Sequence, residues 1–165
     1  INGPINRQIV SRVVELMAVQ PGESVLDLFC GLGNFTLPLA KQGAQVVGVE
    51  GSHALVERGY ENADLNDLKG LDFYSADLFK PLDDAEWAKQ RYDRVLLDPP
   101  RSGAIEVIQQ IRRFSPKQIV YVSCNPATFA RDLGFFLEKG YELRSVQPVD
   151  MFPHTAHIET VAVLQ

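Results

Sequence analysis

The chain has 165 residues, 45% hydrophobic and 22% charged, which suits one domain with a full-sized core and excludes a disordered or fibrous protein. A net charge of −5 argues against a stand-alone binder of polyanions held by phosphate contacts. Two cysteines, Cys30 and Cys124, exclude a disulfide framework and a zinc set and fit a reducing, cytoplasmic compartment. No signal peptide and no bilayer-length apolar run is visible, so no membrane partner is expected.

In chain order, Ile5, Ile9, Val13, Leu16 and Met17 follow helical spacing. Pro21-Gly22 ends that helix with a turn. Ser24 to Phe29 reads as a first strand, Gly31 to Asn34 as a loop, and Phe35 to Lys41 as a helix stopped by Gly43. A second strand spans Gln45 to Glu50. Ser52 is placed to cap the next helix, with Leu55, Val56, Gly59 and Ala63 inward. Leu71 to Asp77 is the third strand, and residues 79–90 suggest a short helix ending near Trp87.

The fourth strand, Tyr92 to Asp98, is stopped by Pro99-Pro100, neither of which can donate to a ladder. A helix with Ile105, Ile108 and Ile111 follows, then a strand from Gln118 to Val122. Asn125-Pro126 opens another helix, with Asn as N-cap and Pro at its first position. Phe129, Leu133, Phe136 and Leu137 should face inward there. Tyr141 to Val149 and Ile158 to Leu164 are the sixth and seventh strands, with no helix between them.

Strands alternating with helices predict an α/β fold: a Rossmann-like, mostly parallel sheet of seven strands with helices on both faces. Two closing strands without a helix make the last one antiparallel. Residues 1–165 read as a single domain, without repeats or an interdomain linker.

In such a sheet, ligands bind at the carboxyl ends of the strands. Chemistry-bearing residues collect there. Gly31 and Gly33, in Asp27-Leu-Phe-Cys-Gly-Leu-Gly-Asn34, allow close backbone approach to a ligand. Thr36 stands where a dinucleotide motif would have its third Gly. Glu50, ending the second strand, suits both hydroxyls of a ribose, and Asp77 suits an adenine amino group. Acidic strand ends without a phosphate-cradling Lys favour a nucleoside without phosphates, such as S-adenosylmethionine, over NAD. Cys124 lies at a strand end ahead of a helix N-terminus, whose dipole should favour thiolate. Glu159 should face it if the last strand neighbours the fifth. His154 and His157 lack further ligands at zinc spacing, so no metal is expected. Residues 1–90 carry 7 Lys/Arg against 13 Asp/Glu and residues 91–165 carry 9 against 8, so a polyanion would approach the second half.

Asp27–Thr36, Asp98–Gly103, Ser123–Pro126 and Asp150–Glu159 together resemble the RNA uracil-C5 methyltransferase family, of the class I S-adenosylmethionine-dependent fold. The wording of the first and last stretches is most similar to the branch that acts on large-subunit (23S) ribosomal RNA. The tRNA branch and another Rossmann-type nucleotide enzyme, such as an NAD-dependent oxidoreductase, are the alternatives. A binding module that merely kept the pocket is a third, opposed by the intact Cys124, Glu159 and Asp98. The resemblance implies that Cys124 is the nucleophile and Glu159 the base. It also implies that Phe29, Asn34, Glu50, Asp77 and Asp98 line the S-adenosylmethionine site. Asp77 stands where some members carry Asn, and Arg101 follows Asp98-Pro-Pro100 where amine methyltransferases carry an aromatic. Arg101 is a candidate donor by position. The family's N-terminal RNA-binding modules, often with an iron–sulfur cluster, have no counterpart in these residues, so the chain reads as the catalytic domain alone. The implied partner is RNA presenting a flipped uridine.

Overall fold

The computed structural model describes residues 3–82, 84–150 and 158–165. Met151 to His157, including His154 and His157, lie outside the described residues.

Helix α1 (Gly3–Met17) precedes β1 (Ser24–Leu28), α2 (Thr36–Lys41), β2 (Gln45–Glu50), α3 (His53–Leu65) and β3 (Leu71–Ser75). Then come β4 (Arg94–Leu97), α4 (Ile105–Gln109), β5 (Gln118–Ser123), α5 (Pro126–Glu138), β6 (Leu143–Asp150) and β7 (Ile158–Leu164). The strands form one sheet in the order β3-β2-β1-β4-β5-β7-β6. β1 to β5 run parallel. β7 is inserted between β5 and β6 and is antiparallel to both, as the helix-less link between the last two strands predicted. Chain direction reverses its outward march at β1, between β2 and β4, which opens a crevice at the carboxyl edge.

Both faces of the sheet are covered, so its central strands are apolar on both sides. Val25, Val46, Leu96, Val120 and Val122 pack beneath Ile9, Val13 and Met17 of α1 and Leu39 of α2. Leu26, Leu28, Val95, Leu97, Ile119 and Tyr121 face the other way, onto Val107 and Ile108 of α4 and Phe129 and Phe136 of α5. All six residues of β5 are buried. Pro148 sits in β6, the edge strand, where a missing donor costs no interior pairing.

Local expectations change in four places. Within residues 79–90 the helical segment is one 3-10 turn, Glu86–Lys89, with Trp87 buried in it. After α4, Ile111–Phe114 tighten into a second 3-10 turn ended by left-handed Ser115. Leu137 is 52% exposed, and the inward position on α5 is taken instead by Asp132, which is fully buried. Ser52 occupies the N-cap position of α3 without a side-chain bond. Asn125, by contrast, caps α5 as expected, accepting from the Ala127 N–H at 3.1 Å.

Candidate active site

The carboxyl edge carries two adjoining cavities. One, of about 660 Å³, is walled by Phe29, Glu50, Asp77, Phe79, Asp98 and Pro99, among others. The other, of about 450 Å³, is walled by Asn6, Gly31, Leu32, Asn34, Leu55 and again Phe29 and Asp98. The shared walls make the two one cleft.

The loop after β1 forms its floor. Phe29 adopts φ +64°, a conformation uncommon for a bulky residue and characteristic of functional sites when it occurs. Gly31 and Gly33 follow at φ +57° and +95°. A Cβ on Gly33 would stand 2.3 Å from Leu37 Cδ1 and 3.2 Å from the Phe73 ring. Glycine is therefore required here by backbone and by space.

Glu50 is fixed rather than free. Its Oε2 accepts the Gly31 N–H at 3.1 Å and its Oε1 accepts the Ser52 N–H at 3.0 Å. A carboxylate offers about four lone-pair sites, so acceptor capacity remains toward the cavity. Asp77 accepts the Phe79 N–H at 3.0 Å, and Lys80 lies 3.2 Å from its other oxygen. The Phe79 amide and then Lys80 hold its carboxyl below the usual range. Asn34 lies at the far end of the cleft, and its amide exchanges two hydrogen bonds with Asn6, at 2.9 and 3.1 Å.

Asp98 closes the middle. Burial, then Glu159 and Asp27, push its carboxyl up to about 7. Asp27 is wholly buried and also raised to about 7 by burial, with Glu50 adding to the rise. The Thr36 hydroxyl donates to its Oδ2 at 2.6 Å and opposes the shift. Its Oδ1 has no partner among the described residues.

Cys124 and Glu159 come together. The β5–β7 ladder pairs Ser123 with Thr160, so the next residue on each strand, Cys124 and Glu159, lies across the strand boundary at the same edge. Burial raises the Glu159 carboxyl, and its Oε2 is buried without a partner among the described residues. The expected thiolate bias at Cys124 is opposed by its surroundings. Burial first, and then Glu159, push its thiol up; Arg101 pulls it down. The helix N-terminus is already engaged by Asn125, while desolvation and a carboxylate close by act directly on the sulfur. Cys30 is buried and borders the smaller cavity, and burial raises its thiol.

Two contributors escaped sequence reasoning. Asn6 gave no signal beyond its place near the start of a helix. Asp132 gave one: a lone acid between Phe129 and Phe136 on the inward stripe of α5.

The sequence model of the family described as tRNA (uracil-5-)-methyltransferase matches residues 1–165. The chain belongs to this family. Among the members of the uracil-5-methyltransferase family most similar to it is the 23S rRNA (uracil(1939)-C(5))-methyltransferase RlmD of Alkalilimnicola ehrlichii, 57% identical over the whole chain. The protein of the same name from Hahella chejuensis is 54% identical, again over the whole chain. The chain spans only 37% and 38% of the length of these two relatives. A solved family structure, the Pyrococcus abyssi tRNA (uracil-54, C5)-methyltransferase in complex with S-adenosyl-L-homocysteine, superposes with a TM-score of 0.82. It is 35% identical and covers 97% of this chain and 38% of that one. The magnesium protoporphyrin IX methyltransferase of Synechocystis shares the fold at 20% identity, with a TM-score of 0.72 over 99% of this chain and 84% of that one. The fold is thus the Rossmann-like class I methyltransferase fold.

Proposed function

We propose that this chain is the catalytic domain of an S-adenosylmethionine-dependent methyltransferase that modifies C5 of a uridine in large-subunit ribosomal RNA. The observation that carries the reading is the meeting of Cys124 and Glu159 at the carboxyl edge of the sheet, one residue past the Ser123–Thr160 pair, with Asp98 of the cleft as a neighbour of both. Support for ribosomal RNA over tRNA comes from the relatives named for 23S rRNA at 57% and 54% identity.

The cleft fits S-adenosylmethionine by its own chemistry. Gly31 and Gly33 leave room for close approach, Glu50 is pre-oriented for a ribose diol, and Asp77 borders the space for a base. Phe29, Asn34 and Asp98 complete the walls. Bound there, S-adenosylmethionine would supply an electrophilic methyl group on a sulfonium.

Uracil C5 is a weak nucleophile. Addition of the Cys124 thiolate to C6 converts the ring to an enolate that is nucleophilic at C5. Arg101 is the cation that favours the thiolate. C5 would then take the methyl group, with S-adenosylhomocysteine as the leaving group, so that C5 carries both methyl and hydrogen; Glu159 removes that hydrogen as a proton, and the electron pair it leaves expels the Cys124 sulfur from C6. The raised carboxyl of Glu159 makes it a stronger base than an ordinary glutamate. The uridine must leave its stack to reach these two side chains. With a net charge of −5 the domain is a poor polyanion binder, so the main RNA grip is assigned to other parts of the full-length protein.

The test uses full-length protein and 23S rRNA fragments bearing 5-fluorouridine at the target. Fluorine cannot leave C5 as a proton would, so a covalent protein–RNA adduct through Cys124 should accumulate. An enzyme that methylates the unmodified RNA yet forms no adduct would overturn the nucleophile assignment. Methylation of tRNA in preference to 23S rRNA would overturn the substrate assignment.

A further inference from the structure

The loop that follows Asp98-Pro-Pro100 is tied to α5 by an unusual number of bonds. The carbonyl of Arg101 accepts from Asn125 Nδ2 at 3.1 Å and from the Thr128 hydroxyl at 3.0 Å. The carbonyl of Ser102 accepts from Arg131 Nη2 at 2.7 Å. The Ala104 N–H donates to Asp132 Oδ2 at 2.9 Å. Between them Gly103 adopts φ +81°, and a Cβ there would stand 2.4 Å from both Arg131 Nη2 and Asp132 Oδ2.

Asp132 is the centre of this arrangement. It is completely buried. Its Oδ2 also accepts the Tyr121 hydroxyl of β5. Its Oδ1 takes Arg131 Nε at 3.0 Å and Nη2 at 2.8 Å, so one carboxylate holds strand, helix and loop. A buried carboxylate with a full set of donors resists displacement, because loss of any donor leaves a costly orphan. The loop it holds begins at Arg101. The helix it stands on begins two residues after Cys124, with Asn125 as its N-cap.

We propose that Asp132 is a positioning residue that, by pinning the Arg101–Ala104 loop to α5, fixes the Arg101 cation beside Cys124. The proposal rests on the reading of Cys124 as the nucleophile, and its function is to set how readily that thiol ionises. Among the described residues Arg101 is the cation that favours the thiolate, while Glu159 on β7 and Asp98 after β4 oppose it. A displacement of Arg101 therefore has no compensating neighbour among those groups.

The experiment follows alkylation of Cys124 by iodoacetamide against pH in the full-length protein, read on the Cys124 peptide by mass spectrometry so that Cys30 does not interfere. Asp132→Asn keeps the shape but presents an amide N–H to donors, and should move the midpoint up by about half a unit to one unit. Arg101→Ala should move it in the same direction by at least as much, and the double variant no further. In methylation assays Asp132→Asn should lower kcat about 3- to 10-fold while KM for the methyl donor stays within about twofold. Thr128→Val removes one exposed pin, and should produce a smaller shift of the same sign even if Asp132→Asn fails to fold. A midpoint unchanged in Asp132→Asn or, if that variant does not fold, in Thr128→Val, despite a lower Tm, would reduce Asp132 to a structural role and overturn the proposal. So would additive shifts in the double variant, or no shift in Arg101→Ala. Failure of the nucleophile reading is separate: it would show as methylation surviving Cys124→Ala, whatever the alkylation profile.

Discussion

Asn6 and Asn34 exchange two side-chain hydrogen bonds, 2.9 and 3.1 Å, across 28 residues of sequence. One lies in the first turns of α1 and the other ends the glycine loop, and both wall the same cavity. Helix α1 thereby orients an amide of the proposed cofactor cleft. Asn6→Ala should weaken binding of S-adenosylhomocysteine about fivefold, the equivalent of about 1 kcal/mol for a lost pair of this kind. Calorimetry measures it; unchanged affinity in Asn6→Ala alongside a loss in Asn34→Ala would show that the pairing contributes nothing.

The two glycines of the loop should respond differently to a methyl group. At Gly31 an added Cβ meets nothing within 4 Å, and φ +57° costs an alanine about 1 kcal/mol. At Gly33, φ +95° and the contacts with Leu37 and Phe73 combine, so Gly33→Ala should cost about 2–3 kcal/mol and more of the cofactor affinity. Urea unfolding of the two variants compares them directly, and equal losses would contradict this account.

Replacing Glu159 by Gln removes the base but not the nucleophile. Methyl transfer should proceed once, and the RNA should then remain attached to Cys124, with turnover reduced at least about 100-fold. Denaturing gels with labelled RNA and a chase distinguish trapping from release. Release at the wild-type rate would remove Glu159 from the role of base.

The raised carboxyls predict a pH dependence of stability without cofactor. Asp98 and Asp27 hold their protons to about 7 in the folded chain, against 3.8 for an ordinary aspartate. The folded state therefore binds more protons in that window. The stabilisation is full below about pH 4 and is lost as the pH rises through about 7. Asp98→Asn cannot ionise, so its unfolding free energy should decline less over this range, by up to about 1.4 kcal/mol per pH unit. Parallel slopes for variant and wild type in denaturant titrations at several pH values would refute it.

Much of the site was legible because it is written in strand ends. Glu50 and Asp98 end apolar runs, Asp77 lies two residues past one, and a parallel sheet gathers such positions at one edge. Gly31 and Gly33 were legible because a glycine pair after a strand marks a tight loop open to close approach; their positive φ angles fit that reading. Asn125-Pro126 announced a helix start correctly, since capping is local chemistry. Ser52 carried the same signal and does not cap; Glu50, held by the neighbouring Gly31 amide, takes the Ser52 N–H instead. Leu137 followed the helical stripe and is exposed, because α5 turns Asp132 inward to meet Tyr121 and the Arg101–Ala104 loop.

By itself the sequence determined the alternation of strands and helices, the antiparallel last strand, and which acids, glycines and thiol stand at strand ends. These follow from periodicity, capping and chain breaks within a few residues. Only the tertiary structure decided that β7 enters between β5 and β6 and so sets Glu159 beside Cys124. It also decided that Asn6 pairs with Asn34, and that Asp132 ties the Arg101 loop to the helix behind the thiol. The acidity of Cys124 belongs to the same class: the helix start is local, but desolvation and the fields of Glu159, Asp98 and Arg101 come from other strands and loops. Those interactions depend on burial and distance in space, which sequence spacing does not encode.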